Sequence, residues 1–407
     1  MPQSLYSQSF KNISGLKELK NFQKICASAK QKLRAEIKAK KLAAIDVALG
    51  DDDLKVFEKL AKEAVKYKKI LVLGVGGSSL GGKTLSALKF QEKLEFLESI
   101  DPETITKSLS KIDLKNTYFL VISKSGETIE TICQTLVILD RVKKEKIKNF
   151  AKQFLFVTES ENNSLAKIAL KIGAKIVNHP QKIGGRYSCF CVVGLLPAAI
   201  AGLNIKKIRQ GARKILENFL HEDDISNSCA TQLALYSQGF GSNVIMPYVD
   251  NLKNFTDWYR QLWAESLGKN SFGSTPINSM GTVDQHSQLQ LYLEGPKDKF
   301  FTFITAKNHQ KDLLVKDLPT CATLFGGKKL SEIVAIEQQT TIEVLNRKKL
   351  PIRIFELEKL NEESLGGLMM LMFLETILIA YAKNINPFDQ PAVELRKILA
   401  KEILAND

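Results

Sequence analysis

Along the first fifty residues lysines alternate with apolar positions at helical spacing. Leu16, Leu19, Ile25, Ala29, Leu33 and Ile37 recur this way, which predicts one or two amphipathic helices. Residues 1–50 therefore read as a helical arm, not a domain. From Lys69 the texture changes to short apolar runs: I-L-V-L-G at Ile70 to Gly74, Y-F-L-V-I at Tyr118 to Ile122 and F-L-F-V at Phe154 to Val157. Each run is continuous rather than alternating, as expected of parallel strands covered on both faces. Helical segments separate them, so residues 51–205 predict a βαβ domain. After Gly202 comes a helical stretch over Lys206 to Phe219, then a second set of runs near Val244, from Phe300 and from Ile352. Residues 206–385 predict a second α/β domain. The apolar stretch Leu365 to Ala382 approaches membrane-spanning length, but Gly366, Gly367 and Glu375 interrupt it, and a buried helix is the expectation. Residues 386–407 close the chain with a helix over Ala392 to Leu404.

Length agrees with this division. At 407 residues the chain is too long for one ordinary core, and two domains plus appendages fit a prior of about 150 residues each. A composition that is 44% hydrophobic and 25% charged excludes a largely disordered protein. Net charge is +14, and the first fifty residues hold half of it, nine Lys and one Arg against Glu18, Glu36 and Asp46. Nucleic acid is not the partner this implies. The whole chain has nine Arg against forty-nine Lys, whereas recognition of bases and phosphates favours the planar Arg fork. A lysine-coated surface whose field attracts an anionic substrate is the better reading. Six cysteines, Cys26, Cys133, Cys189, Cys191, Cys229 and Cys321, contain no C-x-x-C pair and read as small apolar residues in a reducing compartment. The start, M-P-Q-S-L-Y-S, lacks the basic-then-apolar order of a signal peptide. A cytoplasmic protein with no membrane contact is expected.

Five segments carry candidate chemistry. In L-G-V-G-G-S-S-L-G-G, Leu73 to Gly82, a strand ends in glycines and a helix begins, where backbone N–H groups suit an anion; a tight structural turn explains the same residues. V-I-S-K-S-G-E-T, Val121 to Thr128, sets Ser123, Ser125 and Thr128 on a loop entering a helix, where the dipole favours phosphate. Helix capping is the plainer use of such residues. G-G-R-Y-S, Gly184 to Ser188, puts the Arg186 guanidinium beside backbone that glycine lets a ligand approach. W-A-E-S-L-G-K, Trp263 to Lys269, supplies the carboxylate of Glu265, and G-T-V-D-Q-H, Gly281 to His286, supplies an imidazole. Of the four histidines, His179, His221, His286 and His309, His286 is the one inside such a segment.

Together with N-P-F-D-Q-P-A-V-E-L-R-K near the C-terminus, these segments closely resemble the glucose-6-phosphate isomerase family, from about residue 70 to Lys401. The resemblance implies two sugar-isomerase (SIS-type) domains, each a three-layer αβα arrangement on a parallel sheet, with the N-terminal arm and C-terminal helices appended. It implies an aldose–ketose isomerase acting on a small sugar phosphate with neither metal nor organic cofactor. Residue by residue it implies Gly77 and Ser78 as sugar contacts, and Ser123, Ser125 and Thr128 as phosphate ligands with Lys124 adding charge. Glu265 becomes the base that moves a proton between C2 and C1, in apolar surroundings, and Arg186 the holder of the enediolate. His286, oriented by Glu130, and Lys397 open the sugar ring. Gln261, one turn before Glu265, touches the phosphate, and Gln390 contacts substrate. Lys397 lies four residues on from Val393, on one helix face directed inward. The histidine comes from the neighbouring subunit, so a homodimer with shared active sites is implied. Asp284 stands where that pattern often has a neutral residue, close enough in sequence to perturb His286.

Two other functions fit a chain of this kind. A dual-specificity phosphoglucose/phosphomannose isomerase also takes mannose 6-phosphate, but such chains are usually shorter and lack the full motif set. A sugar-phosphate-sensing regulator binds without turnover, yet needs a DNA-binding module. The basic arm is the candidate for one, and it has no helix-turn-helix with a glycine turn.

Overall fold

A computed structural model describes residues 5–159, 162–308, 311–316 and 324–406. Its strands are β1 (Tyr6–Lys11), β2 (Lys69–Leu73), β3 (Leu94–Leu97), β4 (Thr117–Ile122), β5 (Phe154–Thr158), β6 (Lys175–Asn178), β7 (Ser242–Pro247), β8 (Thr275–Asn278), β9 (Lys299–Asn308) and β10 (Ile352–Lys359). They form two five-stranded sheets. The first runs β3-β2-β4-β5-β6, parallel throughout. The continuous apolar runs are the reason: all six residues of β4 and all five of β5 are buried, as helices on both faces require.

The second sheet runs β1-β10-β9-β7-β8. Its last four strands are parallel, and β1 pairs antiparallel with β10, Gln8 opposite Phe355. This corrects the expectation of a purely helical arm. Y-S-Q-S-F-K alternates, with Tyr6, Gln8 and Phe10 half-buried and Ser7, Ser9 and Lys11 exposed, the period of an edge strand rather than a helix. The helix α1 (Leu19–Lys38) follows and buries Cys26, Ala29, Leu33 and Ile37.

Further helices that matter to the site are α2 (Ile129–Lys144), α3 (Ile205–His221), α4 (Lys253–Leu267), α5 (Glu362–Ala382) and α6 (Glu394–Asn406). The apolar stretch is α5, and 89% of its most hydrophobic window is buried inside the protein. An Asn361 side chain that accepts from the Ser364 N–H, with Ser364 Oγ accepting from the Asn361 N–H, caps its start. Gly366 and Gly211 let α5 and α3 meet at backbone distance, since a Cβ on Gly211 would lie 1.8 Å from the Glu363 carbonyl. Glu375 does not face water. It pairs with Arg353, both at most 1% exposed, and accepts from Ser228 Oγ at 2.9 Å.

Candidate active site

The first sheet tells where ligands belong. From β2 the chain passes to β3 on one side and then to β4 on the other, so β2 and β4 flank the point where strand order reverses. Open parallel sheets bind ligands beyond the carboxyl ends of such strands. The turn Gly76–Ser78 follows β2, and the loop Ser123 to Thr128 follows β4. Gly77 is pressed against the G-G-R-Y-S turn, where a Cβ would stand 2.3 Å from the Gly185 carbonyl carbon. Ser188 Oγ donates to the Gly77 carbonyl at 3.1 Å and to the Gly185 carbonyl at 2.6 Å. Two segments 111 residues apart are thereby stitched together.

The loop after β4 has the features of an anion cradle. Thr128 stands at the N-cap position of α2, yet its side chain makes no cap bond. Its Oγ1 lies 2.9 Å from Ser123 Oγ instead. The first-turn N–H groups of α2 therefore keep their donor capacity and positive dipole end for a ligand. Gly126 has φ +66°, and a Cβ there would overlap the Asn163 side chain, so the loop needs its glycine. Ser125 is exposed, its Oγ accepting from the Glu127 N–H at 3.2 Å. Lys124 pairs with Glu159 at 3.6 Å. His179, at the end of β6, packs nearby and donates from Nδ1 to the Pro180 carbonyl at 3.0 Å.

Burial pushes the His179 imidazole down to about 4 from 6.5, and the Lys124 charge adds to the effect. Between those values an unfolded chain takes up a proton that the folded one refuses. The native state thus has its full stability above pH 6.5 and loses about 3 kcal/mol by pH 4 on this account. His179→Gln should flatten stability against pH over that interval in urea melts; an unchanged slope would assign the acid sensitivity to other groups.

Helix α4 supplies the carboxylate. It turns Phe255, Trp258, Tyr259, Leu262 and Trp263 into the core and sets Gln261 and Glu265 one turn apart on a partly exposed face. Gln261 Nε2 donates to Glu265 Oε1 at 3.1 Å, while Gln261 Oε1 is buried without a partner. Gln261 also borders the first motif, its Nε2 being 3.0 Å from where a Cβ on Gly76 would stand. Arg186, 3% exposed, uses all five of its N–H donors on protein. Nε donates to Ser266 Oγ at 2.9 Å. Nη1 donates to Glu265 Oε2 at 3.3 Å and Gln390 Oε1 at 2.8 Å, and Nη2 to the Pro387 and Asp389 carbonyls at 2.6 and 2.8 Å. Glu265, Arg186, Gln261 and Gln390 thus converge from three distant stretches of chain. The surroundings of Glu265 differ from the apolar setting expected: a guanidinium and an amide face its two oxygens, and its side chain is 30% exposed.

Other expected residues stand apart in a single chain. His286 lies in the turn Val283–His286 and is exposed. Glu130, in the first turn of α2, is partly exposed, and among the described residues no hydrogen bond or ion pair joins it to His286. Asp284 does not turn toward the imidazole. Its Oδ2 accepts from the Met280 N–H at 2.7 Å and its Oδ1 from Ser287 Oγ at 2.6 Å. Burial raises the Asp284 carboxyl, and these bonds more than offset it, leaving it below the usual range. Gln285 anchors the same turn, accepting from Tyr248 Oη and donating to Glu337, both at 2.8 Å. Val393 does not face inward, being 39% exposed. The Lys397 side chain lies outside the described residues, as do Cys321 and His309.

Several participants carried no expectation. Ser266 joins Arg186 Nε to Tyr187 Oη, 2.9 Å from each, and Lys269 and Asp389 bridge α4 to the C-terminal loop at 2.9 Å. Their one sequence signal was membership of the same short segments. Among the described residues no group of three or more His, Cys, Asp or Glu side chains could hold a metal ion.

A family model described as phosphoglucose isomerase matches residues 58–407. A glucose-6-phosphate isomerase from Carboxydothermus hydrogenoformans is 34% identical, the match covering 88% of this chain and 84% of that one. The crystal structure of a hypothetical protein from Thermus thermophilus superposes with a TM-score of 0.89 at 28% identity, over 98% of this chain and all of the other. That of a glucose-6-phosphate isomerase from Chlamydia trachomatis has a TM-score of 0.76 at 24% identity, over 89% and 74% of the two chains, a likeness of fold.

Proposed function

The chain belongs to the phosphoglucose isomerase family, and from the meeting of Glu265 with Arg186 we propose how it performs that family's reaction. The reaction is the reversible aldose–ketose isomerisation of glucose 6-phosphate and fructose 6-phosphate on a SIS-type α/β fold. In our reading the phosphate sits at the start of α2, held by Ser123, Ser125 and Thr128 with Lys124 near, and Gly77 and Ser78 contact the sugar. Glu265 removes the C2 proton, a cis-enediolate forms, the hydroxyl proton passes from O2 to O1, and Glu265 returns its proton at C1. Arg186 stabilises the negative charge by exchanging its Nη1 contact with Glu265, the longest of its five bonds, for the enediolate oxygen. Gln261 holds the base at its other oxygen, and Gln390 holds the guanidinium.

Ring opening belongs to His286 and Lys397, with Glu130 orienting the imidazole. We assign the histidine to the neighbouring subunit's site in a homodimer. Its exposure supports this, as does the exposure of Leu395, Ile398, Leu399 and Ile403 on α6, apolar side chains that a second copy would cover. Among the described residues the thiols of Cys26, Cys133, Cys189, Cys191 and Cys229 are free, which supports a reducing, cytoplasmic setting.

The observation that carries the site assignment is the 3.3 Å contact of Arg186 with Glu265, made by residues 79 positions apart. Purified protein should convert fructose 6-phosphate into material that glucose-6-phosphate dehydrogenase oxidises with NADP; no NADPH would overturn the function. For the cradle, Ser125→Ala should weaken fructose 6-phosphate and inorganic phosphate alike. A lost charge-assisted hydrogen bond of about 1.5–3 kcal/mol corresponds to roughly 10- to 100-fold. Unchanged KM and unchanged inhibition by phosphate would move the phosphate elsewhere.

A further inference from the structure

Between α5 and the turn that starts α6, residues 385–390 have no regular structure, yet Gln390 must reach Arg186 and α6 must start in a fixed place. Two cations tie this strip down. Arg186 takes the Pro387 and Asp389 carbonyls and the Gln390 side chain. Lys269 takes the rest: its Nζ donates to the Asn386 carbonyl at 2.6 Å, pairs with Asp389 Oδ1 at 2.9 Å, and donates to the Ser266 carbonyl at 3.2 Å. An ammonium has three donors, and all three are used, with the Lys269 side chain 13% exposed. The Ser266 carbonyl belongs to the last turn of α4, where the helix dipole favours a cation. Asn386 Nδ2 donates to the other Asp389 oxygen at 2.9 Å, closing the strip on itself.

We propose that Lys269 is a positioning residue for the isomerisation, a clasp that fixes the 386–390 strip, and with it Gln390 and the start of α6, relative to the base on α4. Lys269 lies four residues after Glu265, just beyond the end of α4, and its bond back to the Ser266 carbonyl ties the anchor of the facing loop to the helix that carries the base. Without the clasp, Arg186 is the one cation left on the strip, and the Asp389 carboxylate, held below the usual range chiefly by its bond to Lys269 and also by the Arg186 charge, becomes a competitor for the guanidinium. The phosphate cradle, built on β4 and α2, is untouched by this loss. The inference rests on the catalytic reading above.

The test is Lys269→Met in the full-length protein. We expect kcat for fructose 6-phosphate to fall roughly 10- to 100-fold, the scale of a small misplacement of catalytic groups, while the inhibition constant of inorganic phosphate stays within about twofold. Amide hydrogen exchange should quicken in residues 386–406 and not in α4. Lys269→Arg should recover part of the loss, and adding Asp389→Asn to Lys269→Met should cost little more, because the two act as a unit. A kcat within about twofold of wild type, a parallel loss of phosphate affinity, or exchange that quickens throughout α4 overturns the proposal. If Lys269→Met does not fold, Asp389→Asn carries the same expected results. A wild-type protein that does not isomerise the sugar removes the catalytic reading, while the exchange pattern still decides whether Lys269 holds the strip.

Discussion

Glu265→Gln should lower isomerisation by roughly 10²–10⁴ or more, because it deletes the proton acceptor and little else. The substitution suits this position unusually well. Glu265 Oε2 accepts from Arg186 and Oε1 from Gln261 Nε2, so a neutral amide keeps one acceptor for the arginine. Its new N–H₂ meets Gln261, whose Oε1 is buried and unpartnered; a flip of that amide supplies an acceptor. Fold and phosphate affinity are therefore expected to survive while turnover does not. The decisive readout is exchange of the C1 proton of fructose 6-phosphate in deuterium oxide, since forming an enediolate incorporates label even when isomerisation is slow. Exchange at the wild-type rate in Glu265→Gln would show that another residue is the base.

The parts of this fold that were legible in the sequence are those governed by one local pattern. Apolar runs announced β2, β4, β5, β7 and β9 because a strand buried on both faces has little polar side to show, and the mixed run from Ile352 announced β10. The membrane-length stretch of α5 was legible as a core helix from Gly366 and Gly367, which turn out to sit at a helix crossing. β1 was not legible. Its alternation spans six residues beside a much longer helical, lysine-rich pattern, and its pairing partner, β10, lies about 345 residues away. An edge strand that joins a sheet antiparallel from the far end of the chain is decided by tertiary contact, which no local period encodes.

The site divides along the same line. That Arg186 and Glu265 sit in candidate segments was legible from glycines and motif membership, but not that all five guanidinium donors are spoken for, because three of their acceptors are main-chain or side-chain groups of Pro387, Asp389 and Gln390. Main-chain carbonyls have no residue signature. The expectation that Glu265 sits among apolar groups failed for a related reason: W-A-E-S-L-G-K shows the aromatic side of α4, and the polar groups opposite come from other segments. Asp284 was read by its distance along the chain from His286, whereas its oxygens are consumed by the Met280 N–H and Ser287 Oγ, which close its own turn.

Mixing two dead variants should regenerate activity if the site is shared between subunits. His286→Ala and Glu265→Gln homodimers are each expected to be nearly inactive, the first chiefly on the closed sugar ring and the second on every form of it. After subunit exchange at equal amounts, random pairing makes half of the dimers mixed, and each mixed dimer holds one site with both defects and one with neither. Activity should therefore rise to about a quarter of the wild-type level. The arithmetic depends on geometry that one chain already constrains. His286 is exposed and has no hydrogen bond to Glu265, Arg186 or Glu130 among the described residues, while its turn is anchored through Asp284, Gln285 and the ring of Tyr248, against which Gly281 packs. An anchored turn that presents an imidazole outward suits a neighbour's cleft better than a swing into its own. Activity that stays at background after exchange has been verified by mass would mean that both residues serve the site of one chain, and the turn would then have to move to bring His286 to Glu265.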